Sequence, residues 1–345
     1  MDTHTISLLF EKAAGLGASD VHVAVGAPVL FRIDGALTSQ TKQDMTPAAA
    51  LSLVRAVLGA ERMKRFEAER EIDVSFALKG GLRVRVNCHY ERGNVGMAAR
   101  LIPAEIPSLE DVGLTELFES ISAMRGGLVL FTGPTGCGKS TSLAVLLQEL
   151  STRESHSIVT LEDPIEFVFP KGKGIIRQRE LGLDFRSFPE ALKRVLRQDP
   201  DIVMVGEMRD PETIAAALTL AETGHLIFAT LHTPNAMQAI DRIIDGFPPH
   251  QQAQVRSQLS LSLRAVIGQT LLPRVKGGRV ALREVLVNVP AVAHTIRDNR
   301  TQELVSVMQT NEDAGMITFD KAAKKLLKEG AIAKETYEWV AKAGR

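Results

Sequence analysis

The chain is poor in the residues that staple small proteins together. Its two cysteines, Cys88 and Cys137, are distant in sequence and fall on different predicted elements. A disulfide framework and a four-cysteine zinc site built from this chain are therefore excluded. Aromatic residues make up only 5%, and no basic stripe interleaves with them, so a nucleic-acid track is not expected. Neither charge sign is in excess: 41 Lys and Arg balance 41 Asp and Glu, and no bulk field draws the chain to nucleic acid or lipid. No stretch approaches the roughly 18 uncharged apolar residues of a spanning helix. The opening "MDTHTISLLFEKAAG" has no basic leader, and its short apolar run is broken by Glu11 and Lys12. A secretory signal is not expected there, and a cytoplasmic location is.

What is present is an ordinary folding composition, 45% apolar and 24% charged over 345 residues. That length fits two domains. "SDVHVAVGAPVLFRIDGAL" and "GGLRVRVNCHYERGNVGMAARLI" alternate apolar and polar residues between glycine breaks, as half-buried antiparallel strands do. "PAAALSLVRAVLGAERMKRFEAEREI" between them has helical spacing. Residues 1–101 therefore read as a small α+β domain, and "IPAEIPSLEDVG" at 102–113 as a linker. Beyond it the pattern changes. "LVLFTG", "SIVTLE", "DIVMVG" and "HLIFATLH" are short apolar runs that alternate with helical segments, the pattern of buried parallel strands with crossover helices. An α/β core is expected over 114–290, followed by a helical, lysine-rich region at 291–345.

"GPTGCGKS", Gly133 to Ser140, fits the phosphate-loop pattern G-x-x-x-x-G-K-[ST] at every fixed position, after an apolar strand and before a helical stretch. Gly133, Gly136 and Gly138 open backbone dihedrals closed to other residues, so successive N–H groups can converge on phosphate oxygens. The following helix aims its positive end at the same anion. Lys139 supplies charge for the β and γ phosphates, and the Ser140 hydroxyl is a Mg²⁺ ligand. Pro134, Thr135, Cys137 and Thr141 complete the candidate ATP-binding stretch, with Cys137 read as a small residue at a variable position.

Hydrolysis also needs carboxylates. "SIVTLEDPIEF" ends one strand with Glu162, Asp163 and Glu166, and "DPDIVMVGEMRD" ends another with Glu207. In an open parallel sheet both clusters face the phosphate loop. One carboxylate holds the metal, for which Glu207 is the candidate beside Ser140, while another orients or deprotonates the attacking water; which does which stays open. "AETGHLIFATLHT" carries a histidine at each end of a strand. They are too far apart for one ion at about 3.3 Å per residue. His232 falls on the nucleotide side as a sensor of the γ phosphate or its metal, and His225 at the opposite end, at a packing or subunit surface.

The phosphate loop, "IVTLEDPIEF", "LRQDPDIVMVGEMRDPET" and "AETGHLIFATLHT", in this order, closely resemble the secretion ATPases of type II and type IV pilus systems. "SDVHV" and "FRIDG" extend the similarity over nearly the whole chain. It is most similar to the PilT-like and PilU-like pilus retraction ATPases of twitching motility, since the assembly and type II secretion ATPases carry a further N-terminal region and a four-cysteine insertion. The resemblance implies a PAS-like N-terminal domain, a RecA-like P-loop ATPase core and a homohexameric ring. It implies that Arg85 and Arg100 complete the nucleotide site at subunit contacts, and that both histidines couple nucleotide state to domain position. The expectation that follows is a motor that turns its domains about the 102–113 linker to drive a PilC-like inner-membrane platform protein, from the cytoplasmic face of that membrane. The helix motif of the principal retraction motors is matched only in part by "PAVAHTIRDNRTQELV", through Ile296 and Arg297. An accessory motor or a secretion-system paralogue is the alternative, ahead of a ring ATPase that moves nucleic acid or a switch that does not hydrolyse.

Overall fold

The structure, a computed structural model, describes residues 3–33, 35–78, 82–102 and 105–343. Asp34 of "FRIDG", residues 80 and 81 of the second alternating stretch, and Pro103 and Ala104 of the expected linker lie outside these. The chain divides into two units, Met1–Glu105 with Glu166–Val168, and Ile106–Ile165 with Phe169–Arg345.

The first unit runs α1 (Thr3–Gly15), β1 (Ala18–Val23), β2 (Leu30–Ile33), β3 (Ala36–Ser39), α2 (Pro47–Glu69), β4 (Glu71–Ala77), β5 (Arg83–Glu91) and β6 (Asn94–Ile102). Among the described residues its strands form one sheet in the order β3-β2-β1-β6-β5-β4, antiparallel throughout. The alternation in the sequence is what builds it. Val84, Val86 and Cys88 of β5 are buried while Arg85 between them is exposed. These apolar rows pack with Phe10 of α1 and with Val54 and Phe66 of α2; truncating either phenylalanine to alanine costs about 3–5 kcal/mol. α2 starts where Thr46 accepts a hydrogen bond from the Ala49 N–H and Pro47 fills the first turn. On the polar face, register sets Arg85 opposite Arg100, Arg100 opposite Asp20, and Asp20 opposite Arg32.

The second unit opens with α3 (Leu109–Val112) and α4 (Thr115–Ser122), then β7 (Gly127–Thr132), α5 (Lys139–Arg153), β8 (Ser157–Glu162) and β9 (Ile175–Glu180). It continues with α6 (Phe188–Val195), β10 (Ile202–Val205), α7 (Pro211–Glu222), β11 (Leu226–Leu231), α8 (Ala236–Asp245) and α9 (Pro249–Ser262). The hairpin β12 (Leu263–Pro273) and β13 (Arg279–Val287) and the helices α10 (Pro290–Arg297), α11 (Leu304–Thr310), α12 (Phe319–Lys328) and α13 (Lys334–Ala343) complete it. Strand order is β13-β12-β7-β11-β10-β8-β9. All neighbours are parallel except β13.

The four apolar runs read as parallel strands are β7, β8, β10 and β11. Alternate residues go to opposite faces. Leu128, Leu130, Val203, Val205, Ile227 and Ala229 meet the core under α7 to α9, while Val129, Phe131, Ile202, Met204 and Phe228 meet Leu143, Leu146 and Leu147 of α5. Burial on both faces is why these strands are continuously apolar. The sheet is also wider than the sequence reading, which had neither β9 nor the β12–β13 hairpin.

Two boundaries differ from expectation. The second half of the 102–113 linker is helical: Ser108 and Asp111 form a reciprocal capping box, and Leu109 joins the core of the second unit with Leu114 and Phe118. The region from 291 is helical, but it divides between two cores. Val292, Ile296, Leu304 and Met308 of α10 and α11 belong to the main core, and only α12 and α13 form a separate cluster, over Leu272 and Leu282.

Candidate nucleotide site

β7 ends at Thr132, and the chain turns through residues 133–138 into α5. The turn needs its glycines. Gly133 has φ 148° and Gly138 φ 87°, and a β-carbon on Gly133 would stand 2.1 Å from the Gln269 carbonyl oxygen. Lys139 is only 7% exposed. Its Nζ donates to the Gly133 and Pro134 carbonyls at 2.7 and 3.1 Å and lies 3.9 Å from Cys137 Sγ. The ammonium thus ties the start of α5 to the start of the loop. Ser140 and Thr141 follow in the first turn of α5, partly exposed, and Cys137 is buried.

Glu162 ends β8 buried, accepting hydrogen bonds from Thr160 Oγ1 at 2.6 Å and from Gln178 Nε2 of β9 at 3.1 Å. Glu207 follows β10, with its side chain 12% exposed. Arg209 pairs with one of its oxygens, and His232 Nε2 stands 3.3 Å from the other. The same imidazole meets the phosphate loop on its other side, Nδ1 to Thr135 Oγ1 at 3.5 Å. The ring thus bridges the carboxylate and the loop hydroxyl. Beneath, Thr132 Oγ1 meets the carbonyl and hydroxyl of Thr233, drawing the end of β11 onto the root of the loop.

Asp163 and Glu166 are exposed, and Glu166 is assigned to the first unit. His225 lies at the far end of β11 from the phosphate loop. Both histidines lie just outside β11, and the strand's length, about 20 Å for six residues, separates them. His225 Nδ1 is held by Leu220 O at 3.2 Å and Thr223 Oγ1 at 3.1 Å, beside a cavity of about 300 Å³ lined by Ser122, Arg125, His156 and Asp201. In the first unit Arg85 lies 3.9 Å from Asp73 and Arg100 2.9 Å from Asp20. Burial pushes the Asp20 carboxyl up, but hydrogen bonds from Ser19 and Arg100 and the nearby Arg100 and His22 charges outweigh it and hold it below its ordinary value.

The sequence reading missed the groups behind the loop. Gln269 of β12 is 1% exposed. Its Nε2 donates to the Cys137 carbonyl at 2.7 Å, and its Oε1 accepts from Ser142 Oγ at 2.9 Å and Arg283 Nε at 2.7 Å. Arg283 of β13 also donates to the Val112 and Gly113 carbonyls at 2.8 and 3.0 Å and to Ser142 at 3.2 Å. Burial pushes its guanidinium down to about 10, against the pull of Cys137 nearby. Gln269, Arg283, Gly138 and Thr141 border a cavity of about 1110 Å³ beside the start of α5, ample for a nucleoside.

As for a metal, no cluster of three or more His, Cys, Asp or Glu side chains able to hold one occurs among the described residues. Mg²⁺ in phosphoryl transfer needs no such cage, being held by one or two oxygen ligands together with the substrate phosphates. The Ser140 hydroxyl and the Glu207 carboxylate are oxygen donors of that kind.

Residues 3–277 match the family model described as type II/IV secretion system protein. Over 330 residues the chain is 43% identical to a type IV pilus retraction ATPase, PilT, of Pseudomonas aeruginosa, spanning 96% of each chain. It is 40% identical over 334 residues to the type IV pilus ATPase PilU of the same species, spanning 96% of this chain and 86% of that one. A crystal structure of the pilus retraction motor PilT with bound ADP superposes with a TM-score of 0.89 at 42% identity, over 97% of this chain and 96% of the other.

Proposed function

The chain belongs to the type II/IV secretion system protein family, and on that premise we propose that it is an ATP-hydrolysing motor that powers retraction of a type IV pilus. The observation that carries the reading is the single imidazole of His232, set between Glu207 and Thr135 of the phosphate loop. It joins the carboxylate to the loop that grips the substrate.

When ATP enters, Lys139 Nζ exchanges the Gly133 and Pro134 carbonyls for β and γ phosphate oxygens, and the loop N–H groups take the remaining charge. Ser140, with Glu207 directly or through water, would hold a Mg²⁺ ion, which would supply charge neutralisation at the phosphates. A carboxylate, Glu207 or Glu162, orients a water against the γ phosphorus and accepts its proton as the bond to the ADP oxygen breaks. Loss of the γ phosphate then changes what His232 and Thr135 can touch, which converts chemistry into movement. Arg85 and Arg100 are the arginines that meet the triphosphate in an assembled homohexamer. The ring works against an inner-membrane platform protein from the cytoplasmic face.

Purified protein with Lys139→Ala should not turn over ATP, and cells lacking the gene should stop twitching while accumulating surface pili. ATP turnover at the parental rate in the lysine variant refutes the reading. A second reading, an accessory motor of the PilU kind, is favoured by the partial helix motif at Ile296 and Arg297 of α10. Full twitching against low load, lost only under high load, would select it; bald cells would point to assembly instead.

A further inference from the structure

We propose that Gln269 and Arg283 are positioning residues for nucleotide binding, fixing the peptide between Cys137 and Gly138 so that its N–H faces the phosphates. The inference rests on the reading of residues 133–141 as an ATP site. In a trans peptide the C=O and N–H point in opposite directions. Whatever holds the Cys137 carbonyl away from the loop's interior therefore aims the Gly138 N–H into it. Gln269 Nε2 does this at 2.7 Å.

The amide of Gln269 cannot turn over. Its Oε1 already receives two donors, Ser142 Oγ and Arg283 Nε, so only Nε2 is left to face Cys137. Arg283 in turn is fixed by the Val112 and Gly113 carbonyls, which both accept from Nη1, and by Ser142 Oγ, which accepts from Nη2. A planar guanidinium with several donors in a fixed fork suits that task, and a lysine does not. Its charge is satisfied at these positions by neutral oxygens.

The experiment compares parent, Gln269→Glu, Arg283→Met and the double variant. It measures KM and kcat for ATP, equilibrium nucleotide affinity, and the melting temperature without nucleotide. Gln269→Glu keeps the shape but sets an oxygen against the Cys137 carbonyl. We expect KM and the dissociation constant to rise about tenfold or more, the worth of one charge-assisted hydrogen bond, with kcat at saturation largely kept. Arg283→Met should do the same, and the double variant no more than either, because the two act as one device. Parental affinity in Gln269→Glu, or additive losses, overturns the proposal. If Gln269→Glu fails to fold, Ser142→Ala removes one of the two donors on Oε1 and should raise KM by a smaller factor; a parental KM in it is equally fatal. Lys139→Ala run in parallel separates the two levels. A parent that binds no ATP sinks the motor reading, whereas a binding parent with an equally binding Gln269→Glu sinks only this inference.

Discussion

His232 Nε2 and Glu207 Oε2 stand 3.3 Å apart, so the residue after β11 and the residue beyond β10 act on one another across adjacent parallel strands. Glu207→Gln should lower kcat by about 10²–10⁴. His232→Ala should lower it less, and adding it to Glu207→Gln should cost little more, because the two share one task. Steady-state ATPase rates of the three variants decide this. Multiplying losses would show that the imidazole acts through something else.

Glu284 gives a dependence on pH that is separate from catalysis. It is 8% exposed, and burial pushes its carboxyl from 4.5 up to about 7 against the hydrogen bond it accepts from the Ala236 N–H. Between those values the folded chain keeps a proton that the unfolded chain has lost. Stability is therefore fully present below about pH 4.5 and falls as pH rises toward 7, by about 3 kcal/mol at most. Glu284→Gln keeps the acceptor and loses the charge. Denaturant titrations at pH 5.5 and 8 should show the variant gaining on the parent at the higher pH, and equal differences at both would contradict this.

Asp20 has the opposite sign. Its carboxyl is held below its ordinary value by Ser19 and Arg100, so the stability it contributes is present above the unfolded value and is lost as pH falls through the folded one. Asp20→Asn should flatten the acid limb of the melting profile. The same variant frees Arg100 from its partner at 2.9 Å, and ATPase rates should fall if Arg100 must be aimed.

Gly133 and Gly136 both have positive φ but different neighbours. A β-carbon on Gly133 meets the Gln269 carbonyl at 2.1 Å, while one on Gly136 meets nothing within 4 Å. Gly133→Ala should therefore destabilise by about 1–3 kcal/mol more than Gly136→Ala, read as a lower melting temperature. Equal melting of the two would show that strain, not crowding, governs the loop.

Much of this site could be read without coordinates because its determinants are local. Gly133, Gly138, Lys139 and Ser140 sit within eight consecutive letters, and the strands that present Glu162, Glu207 and His232 are apolar because both of their faces are covered. The brace behind the loop was hidden for the opposite reason. Gln269 is 132 positions from Cys137 and 14 from Arg283, and a glutamine within "VIGQTLLP" carries no pattern of its own. β9 was missed because an edge strand with polar residues on it, "IIRQRE", does not look like its buried neighbours. His225 was placed at the far end of its strand by position alone; its inclusion among catalytic groups came from the resemblance.

β7, which delivers the phosphate loop, is flanked by β11 and β12, and both follow it in the chain. While a ribosome is still making the segment before Leu226, "GLVLFT" has emerged with neither edge paired. An unpaired apolar strand is a template for self-association. Nascent chains stalled in that interval should be chaperone clients, and fragments ending there should aggregate before they can hold a nucleotide.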